Sequence, residues 1–268
     1  MNDPHLVRPG TTARLANVDP DAHPTFKGNK AKAAKALARV ARRLGELQEL
    51  LWAQHAHKVL IVLQGMDTAG KDGTIRHVFR SVNPMGVRVA SFKAPTAEEL
   101  AHDFLWRVHR QVPAAGEIAI FNRSHYEDVL VVRVRKLAPP GVWRKRFDQI
   151  NDFERMLAAG GTTILKFFLH IDAEEQKKRL QSRLDEPSKR WKFNPDDLAE
   201  RKHWPLYMKA YQDVLNRTSS PWAPWRIVPS NRKWYRNLVV AQTLVDTLAR
   251  LKMRYPEPPP GLDDVIIE

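Results

Sequence analysis

The apolar run Val59-Leu60-Ile61-Val62-Leu63 leads into Gly65-Met66-Asp67-Thr68-Ala69-Gly70-Lys71, and this junction constrains the chain more than any other stretch. Five apolar residues ending at a glycine read as a buried strand. Ile75, Val78, Phe79 and Val82 then recur at helical spacing, so the GxxxxGK string sits between a strand and a helix. In that setting the two glycines let successive backbone N–H groups turn inward onto one anion, and Lys71 adds a point charge near the terminal phosphates. The segment is read as a phosphate cradle. Its phosphate- and nucleotide-binding positions are Gly65, Met66, Thr68, Ala69, Gly70, Asp72 and Gly73, with Lys71 catalytic.

The loop departs from the common form in two places. Asp72 follows Lys71 where a Ser or Thr hydroxyl usually meets Mg²⁺, and Asp67 puts a carboxylate inside the loop. A carboxylate facing a polyanion is repulsive unless a divalent cation lies between them, so Asp67 is assigned to metal or acid/base duty.

Elsewhere the pattern alternates. Strands are predicted at 58–64, 87–92, 117–122, 162–171 and 225–228. Helices are predicted from Lys30 through the stripe Leu37, Val40, Leu44, Leu47 and Leu51, and then over 72–82, 97–112, 126–136, 143–159, 173–184, 196–216 and 232–254. This order predicts an α/β fold with a mainly parallel five-stranded sheet. The expected layout is an N-terminal arm over 1–28, a main domain over 29–254 and an extended proline-rich tail over 255–268. The arm has no periodicity and is expected either to drape over the body or to move freely.

Charge narrows the partner. Lys and Arg number 44 against 30 Asp and Glu, a net charge of +14, which points to a polyanionic partner without choosing among nucleic acid, membrane and polyphosphate. The pairs Arg76 with Arg80 and Arg39 with Arg43 could line an extended groove. There is no cysteine, which excludes thiol chemistry and Cys-ligated zinc, and no apolar stretch long enough to span a bilayer. A cytoplasmic protein is expected.

Two further segments carry candidate chemistry. Asn122-Arg123-Ser124-His125-Tyr126-Glu127-Asp128 follows the third predicted strand, at the sheet edge that faces the phosphate crevice. Asn122 stands where an acid usually organises Mg²⁺, so metal duty is expected to shift to Asp67 with help from Glu127 or Asp128. Arg123 is suited to a bidentate phosphate clamp. The run from Arg183 to Phe193 sets Arg183, Lys189, Arg190 and Lys192 around Trp191 and Phe193, and is read as a hinged basic lid spanning about 183–200.

GMDTAGKDG at 65–73, NRSHYED at 122–128 and the lid run ending in KRWKF resemble the signature segments of the family-2 polyphosphate kinases, P-loop kinases related to thymidylate kinase. The resemblance runs from about Lys30 to Lys252, and it implies a three-layer α/β/α P-loop kinase fold with a helical lid, the kinase domain being the 29–254 unit. It implies a Mg²⁺-dependent enzyme, with Mn²⁺ as an alternative ion, that moves the terminal phosphoryl group of inorganic polyphosphate onto a nucleotide, reversibly in principle. Asp67, Lys71, Arg123 and Arg183 would be catalytic, and Asp67 and Glu127 would hold the metal. Lys93, Asn122, Glu127, Lys189 and Lys192 would serve the phosphates and nucleotide, and Arg76, Arg80 and Arg133 the polyphosphate chain. His125-Tyr126-Glu127 resembles the subgroup accepting both nucleoside mono- and diphosphates, here the purine nucleotides AMP, ADP, GMP and GDP. A homo-oligomer is expected, with neither nucleic acid nor membrane as partner. An ATP-dependent nucleoside monophosphate kinase is the alternative on the same fold; it leaves the excess positive charge unexplained.

Overall fold

The computed structural model describes residues 3–262 and 265–267. Five parallel strands, β1 (Lys58–Gln64), β2 (Val87–Ser91), β3 (Ile118–Asn122), β4 (Thr162–His170) and β5 (Trp225–Pro229), form one sheet in the order β2-β3-β1-β4-β5. The helices are α1 (Lys30–Gln54), α2 (Lys71–Val78), α3 (Ala97–Ala101), α4 (Trp106–His109), α5 (Val131–Val134), α6 (Pro140–Ala159), α7 (Ala173–Asp185), α8 (Asp196–Lys202), α9 (Trp204–Thr218) and α10 (Lys233–Arg250).

Two cores sandwich the sheet, as strand alternation requires. Val59, Ile61 and Leu63 of β1, with Leu165, Phe167 and Leu169 of β4, face α1 and α10. Leu60 and Val62, with Ile164 and Phe168, face α6 and α9. β1 is central and buried on both sides, so its C-terminal end opens at the sheet's middle, where the order of connections reverses and α/β folds bind ligands.

Several predicted helices are shorter or broken. The segment 97–112 divides into α3 and α4, because Asp103 takes the Leu105 N–H in a turn between them. The segment 126–136 is a 3₁₀ turn at His125–Asp128 followed by α5, with Leu130 in a non-helical conformation between them. The helix expected over 196–216 breaks at His203, since Pro205 has no N–H to continue the ladder and α9 restarts around it. α2 stops at Val78, and α10 stops at Arg250 with Lys252 left-handed two residues later. α6 begins at Pro140, earlier than its apolar periodicity suggests, because proline suits a first helical turn.

The arm drapes over the body. Val7 N–H donates to Trp225 O and Ile227 N–H to His5 O, both at 2.8 Å, so residues 5–7 line the edge of β5. The described tail beyond Tyr255 is exposed, and the expected extension at 263–264 and 268 lies outside the described residues.

Candidate active site

The loop from Gly65 to Lys71 connects β1 to α2. Gly65 has φ +154°, and a Cβ there would stand 2.7 Å from the Leu169 carbonyl of β4. Gly70 has φ +104°, and a Cβ would fall 1.8 Å from Arg236 Nη1. Both positions therefore require glycine. Lys71 is buried, with Nζ donating to Gly65 O at 2.7 Å and Met66 O at 3.3 Å. Burial, and then the neighbouring Arg123, draw its pKa below the ordinary lysine value.

Opposite the loop, Arg123 leaves the end of β3. Its φ of +62° is left-handed, as is that of Thr68 at +66°, and such strain in non-glycine residues collects at functional sites. The guanidinium meets Asp67 Oδ1 at 2.5 Å and Glu127 Oε2 at 3.6 Å. Glu127 and Asp67 hold it above an already high pKa, so it is a permanent cation. Asn122 donates to Asp72 Oδ1 at 2.7 Å. The structure thus brings Asp67, Lys71, Asp72, Asn122, Arg123 and Glu127 to one place.

Two cavities meet there. The first, of about 1470 Å³, is a basic groove lined by Lys30, Lys71, Arg76, Arg80, Lys178, Arg179, Arg183, Lys189, Lys192, Lys233 and Arg236, among others. Its lining carboxylates are Asp67, Asp72 and Glu175. The second, of about 750 Å³, has an apolar wall including Leu100, Val131, Val132 and Leu137, and polar groups including Arg107, Asp128, Arg146 and Tyr207. Asp67, Phe92, Lys93 and Arg123 line both.

Not every expected residue arrives. Arg133 lines neither cavity: it pairs with Asp213 at 2.6 Å and lies over the Trp143 ring. Arg39 and Arg43 also lie outside the groove, which α1 lines through Lys30, Ala33, Ala34 and Leu37. In the segment expected to form a lid, Arg183 is engaged by Asp197 at 3.0 Å and by the Lys192 carbonyl, while Lys189 pairs with Glu186. Trp191 is 78% exposed and donates only to Ser188 O, so it is no core anchor.

Residues that the sequence reading passed over complete the loop's support. Arg179 donates to Thr68 O, Ala69 O, Ser230 O and Asn231 O, and Gln176 to Asp67 O. Arg236, from α10, donates to Ala69 O and Asn237 Oδ1. Burial lowers its pKa to about 9. In the second cavity, Asp128 accepts from Arg146 at 2.8 Å, and burial raises its pKa to about 6.

The family model described as Polyphosphate kinase 2 (PPK2) matches residues 27–256. The chain belongs to the polyphosphate kinase 2 family. It is 57% identical over 264 residues to the AMP/ADP-polyphosphate phosphotransferase of Meiothermus ruber, covering 98% of this chain and 99% of that one. It is 48% identical over 231 residues to the ADP-polyphosphate phosphotransferase of Rhodopseudomonas palustris, covering 82% and 80%. The crystal structure of polyphosphate kinase 2 from Arthrobacter aurescens TC1 superposes with a TM-score of 0.91 at 48% identity, over 94% of this chain and 90% of that one. The α/β fold is therefore that of a family with solved structures. Among the described residues, no helix is long and apolar enough to cross a membrane.

Proposed function

We propose that this phosphotransferase moves the terminal phosphoryl group of inorganic polyphosphate onto AMP and ADP, and onto GMP and GDP with the same machinery. The observation that carries this reading is the meeting of two unlike cavities at Asp67, Lys93 and Arg123. A long polyanion needs an extended electropositive track, and the groove supplies one. A nucleotide needs a partly apolar pocket of a few hundred Å³ with a few placed polar groups, and the smaller cavity supplies that.

Phosphoryl transfer asks a protein mainly for positioning and charge neutralisation. The loop N–H groups and Lys71 hold the donor phosphate, while Arg123 reaches phosphates from either cavity. The attacking nucleotide phosphate is already anionic, so no strong general base is required. Mg²⁺ fits the donor set in one specific way. Among the described residues no cluster of three or more His, Cys, Asp or Glu could hold a metal, but Asp67 and Glu127 converge on Arg123. Mg²⁺ is commonly held by one or two carboxylates together with substrate phosphates. Asp67 and Glu127 would hold it, with Mn²⁺ as a substitute, and the ion would neutralise charge on the transferring group.

The ATP-dependent alternative has no use for a groove that runs past Arg76 and Arg80 to Lys30. The test supplies AMP, ADP, GMP or GDP with Mg²⁺ and either polyphosphate or ATP, and separates the products by chromatography. Product from polyphosphate supports the proposal; product from ATP alone refutes it. A cytoplasmic homo-oligomer remains part of the proposal, to be tested by fractionation and light scattering.

A further inference from the structure

Beneath the loop 122–128 lies a closed polar cluster with no part in the chemistry above. Lys166 takes an inward position of β4 between Ile164 and Phe168, where its neighbours belong to the core. Its Nζ donates to Glu154 Oε2 at 2.5 Å, Thr218 O at 2.7 Å and Tyr126 OH at 2.8 Å. Tyr126 OH donates in turn to Glu154 Oε1 at 2.7 Å, and His125 Nε2 shares that oxygen at 3.2 Å. All four side chains are buried.

Stability alone does not explain the cluster. Desolvating two charges costs several kcal/mol per ion, and apolar replacements of similar volume often serve a fold as well or better. Its connections are more informative. Lys166 on β4, Glu154 on α6 and Thr218 at the end of α9 are fixed by the sheet and two long helices. Tyr126 and His125 belong instead to the short segment that carries Arg123 and Glu127. The segment is also gripped from β1, where Gln64 Nε2 donates to Ser124 Oγ at 3.1 Å. Between these grips Arg123 is held left-handed, a conformation that persists only where its surroundings over-determine it.

We propose that Lys166, Glu154, Tyr126 and His125 form a positioning device, with the Tyr126 hydroxyl as its grip, that fixes Arg123 and Glu127 in the geometry required for transfer. The inference rests on the phosphoryl-transfer reading given above. Removing the hydroxyl leaves the Tyr126 ring packed against Trp225 but frees the segment to shift. A displacement of about 1 Å in a clamp can cost up to about a hundredfold in rate.

The test is a double-mutant cycle of Tyr126→Phe and Arg123→Ala, read as kcat with polyphosphate and ADP, and as ADP affinity by calorimetry. Tyr126→Phe should lower kcat about tenfold while ADP affinity changes less than about threefold. In the Arg123→Ala background it should lower kcat by clearly less than it does in the wild type, because one of the two residues through which it acts is gone. A kcat within about twofold of wild type, or losses that multiply in the double variant, would overturn the proposal. If Tyr126→Phe does not fold, His125→Phe removes the imidazole contact to Glu154 and is judged by the same cycle. If the wild type uses ATP but not polyphosphate, the donor assignment falls, and the cycle run with ATP still judges the cluster.

Discussion

Gly70→Ala tests how tightly the phosphate loop is built onto α10. The native φ of +104° is costly for any residue with a Cβ, by about 1–2 kcal/mol. The added methyl would also stand 1.8 Å from Arg236 Nη1, so the guanidinium must move and give up its 3.0 Å bond to Ala69 O. A buried hydrogen bond from a charged group is worth about 1.5–3 kcal/mol. Together these terms predict a loss of about 3–5 kcal/mol, which for a domain of this size lowers the melting temperature by roughly 5–10 °C. Calorimetric melting of the purified variant measures the fall. Gly141→Ala is the control: it lies in the first turn of α6 with open space around it, and should gain up to about 1 kcal/mol. A fall at Gly70→Ala no larger than about 3 °C would refute the packing of Arg236 beneath the loop.

Four other outcomes are expected. Lys71→Ala should abolish transfer and Lys71→Arg should do nearly as much harm, because the planar fork does not fit a site built for a point charge; a folded Lys71→Ala variant retaining a tenth of wild-type turnover would contradict this. Asp67→Asn should depress turnover by orders of magnitude with a smaller effect on polyphosphate binding, and Asn122→Ala should be milder in steady-state assays; the reverse order would move metal duty to the end of β3. In the lid, Arg183→Ala should cut transfer while calorimetry finds the melting temperature nearly intact, since it engages only Asp197 and the Lys192 carbonyl; unfolding, or unchanged turnover, would make the segment a structural loop. Asp128 binds its proton more tightly folded than unfolded, so its contribution favours folding at low pH and is lost as pH rises toward and through about 6. Between pH 5 and 7, Asp128→Asn should therefore gain about 1 kcal/mol of stability relative to wild type, measurable by urea unfolding at both values; a gap independent of pH would place the titration elsewhere.

Strands and the strand-to-helix junction at Gly65–Lys71 were legible because apolar runs and glycine spacing are local signals. All five strands fall within two residues of their expected bounds at either end. Arg123 was found for the same reason, one residue beyond a strand at the crevice. Helix breaks at Asp103 and His203 were missed because periodicity continues across them while a side-chain bond or a proline ends the ladder. Arg179 and Arg236 look like ordinary helix cations in sequence, and only the tertiary fold aims them at loop carbonyls. Arg133 went the other way: its helix turns it toward Asp213. Lys166 did leave a signal, a single charge at an inward position among Ile164, Leu165, Phe167 and Phe168, and such a residue demands a buried partner.

The strap of residues 5–7 along β5 has a consequence for the order in which the molecule is made. Its two backbone bonds join positions about 220 residues apart, so the strap leaves the ribosome long before its partner strand and is among the last segments to find its place. Until Trp225 and Ile227 emerge, the strap has no edge to pair with, and β4 lacks its outer neighbour. When β5 does arrive, the strap occupies its free edge and denies that edge to other nascent chains.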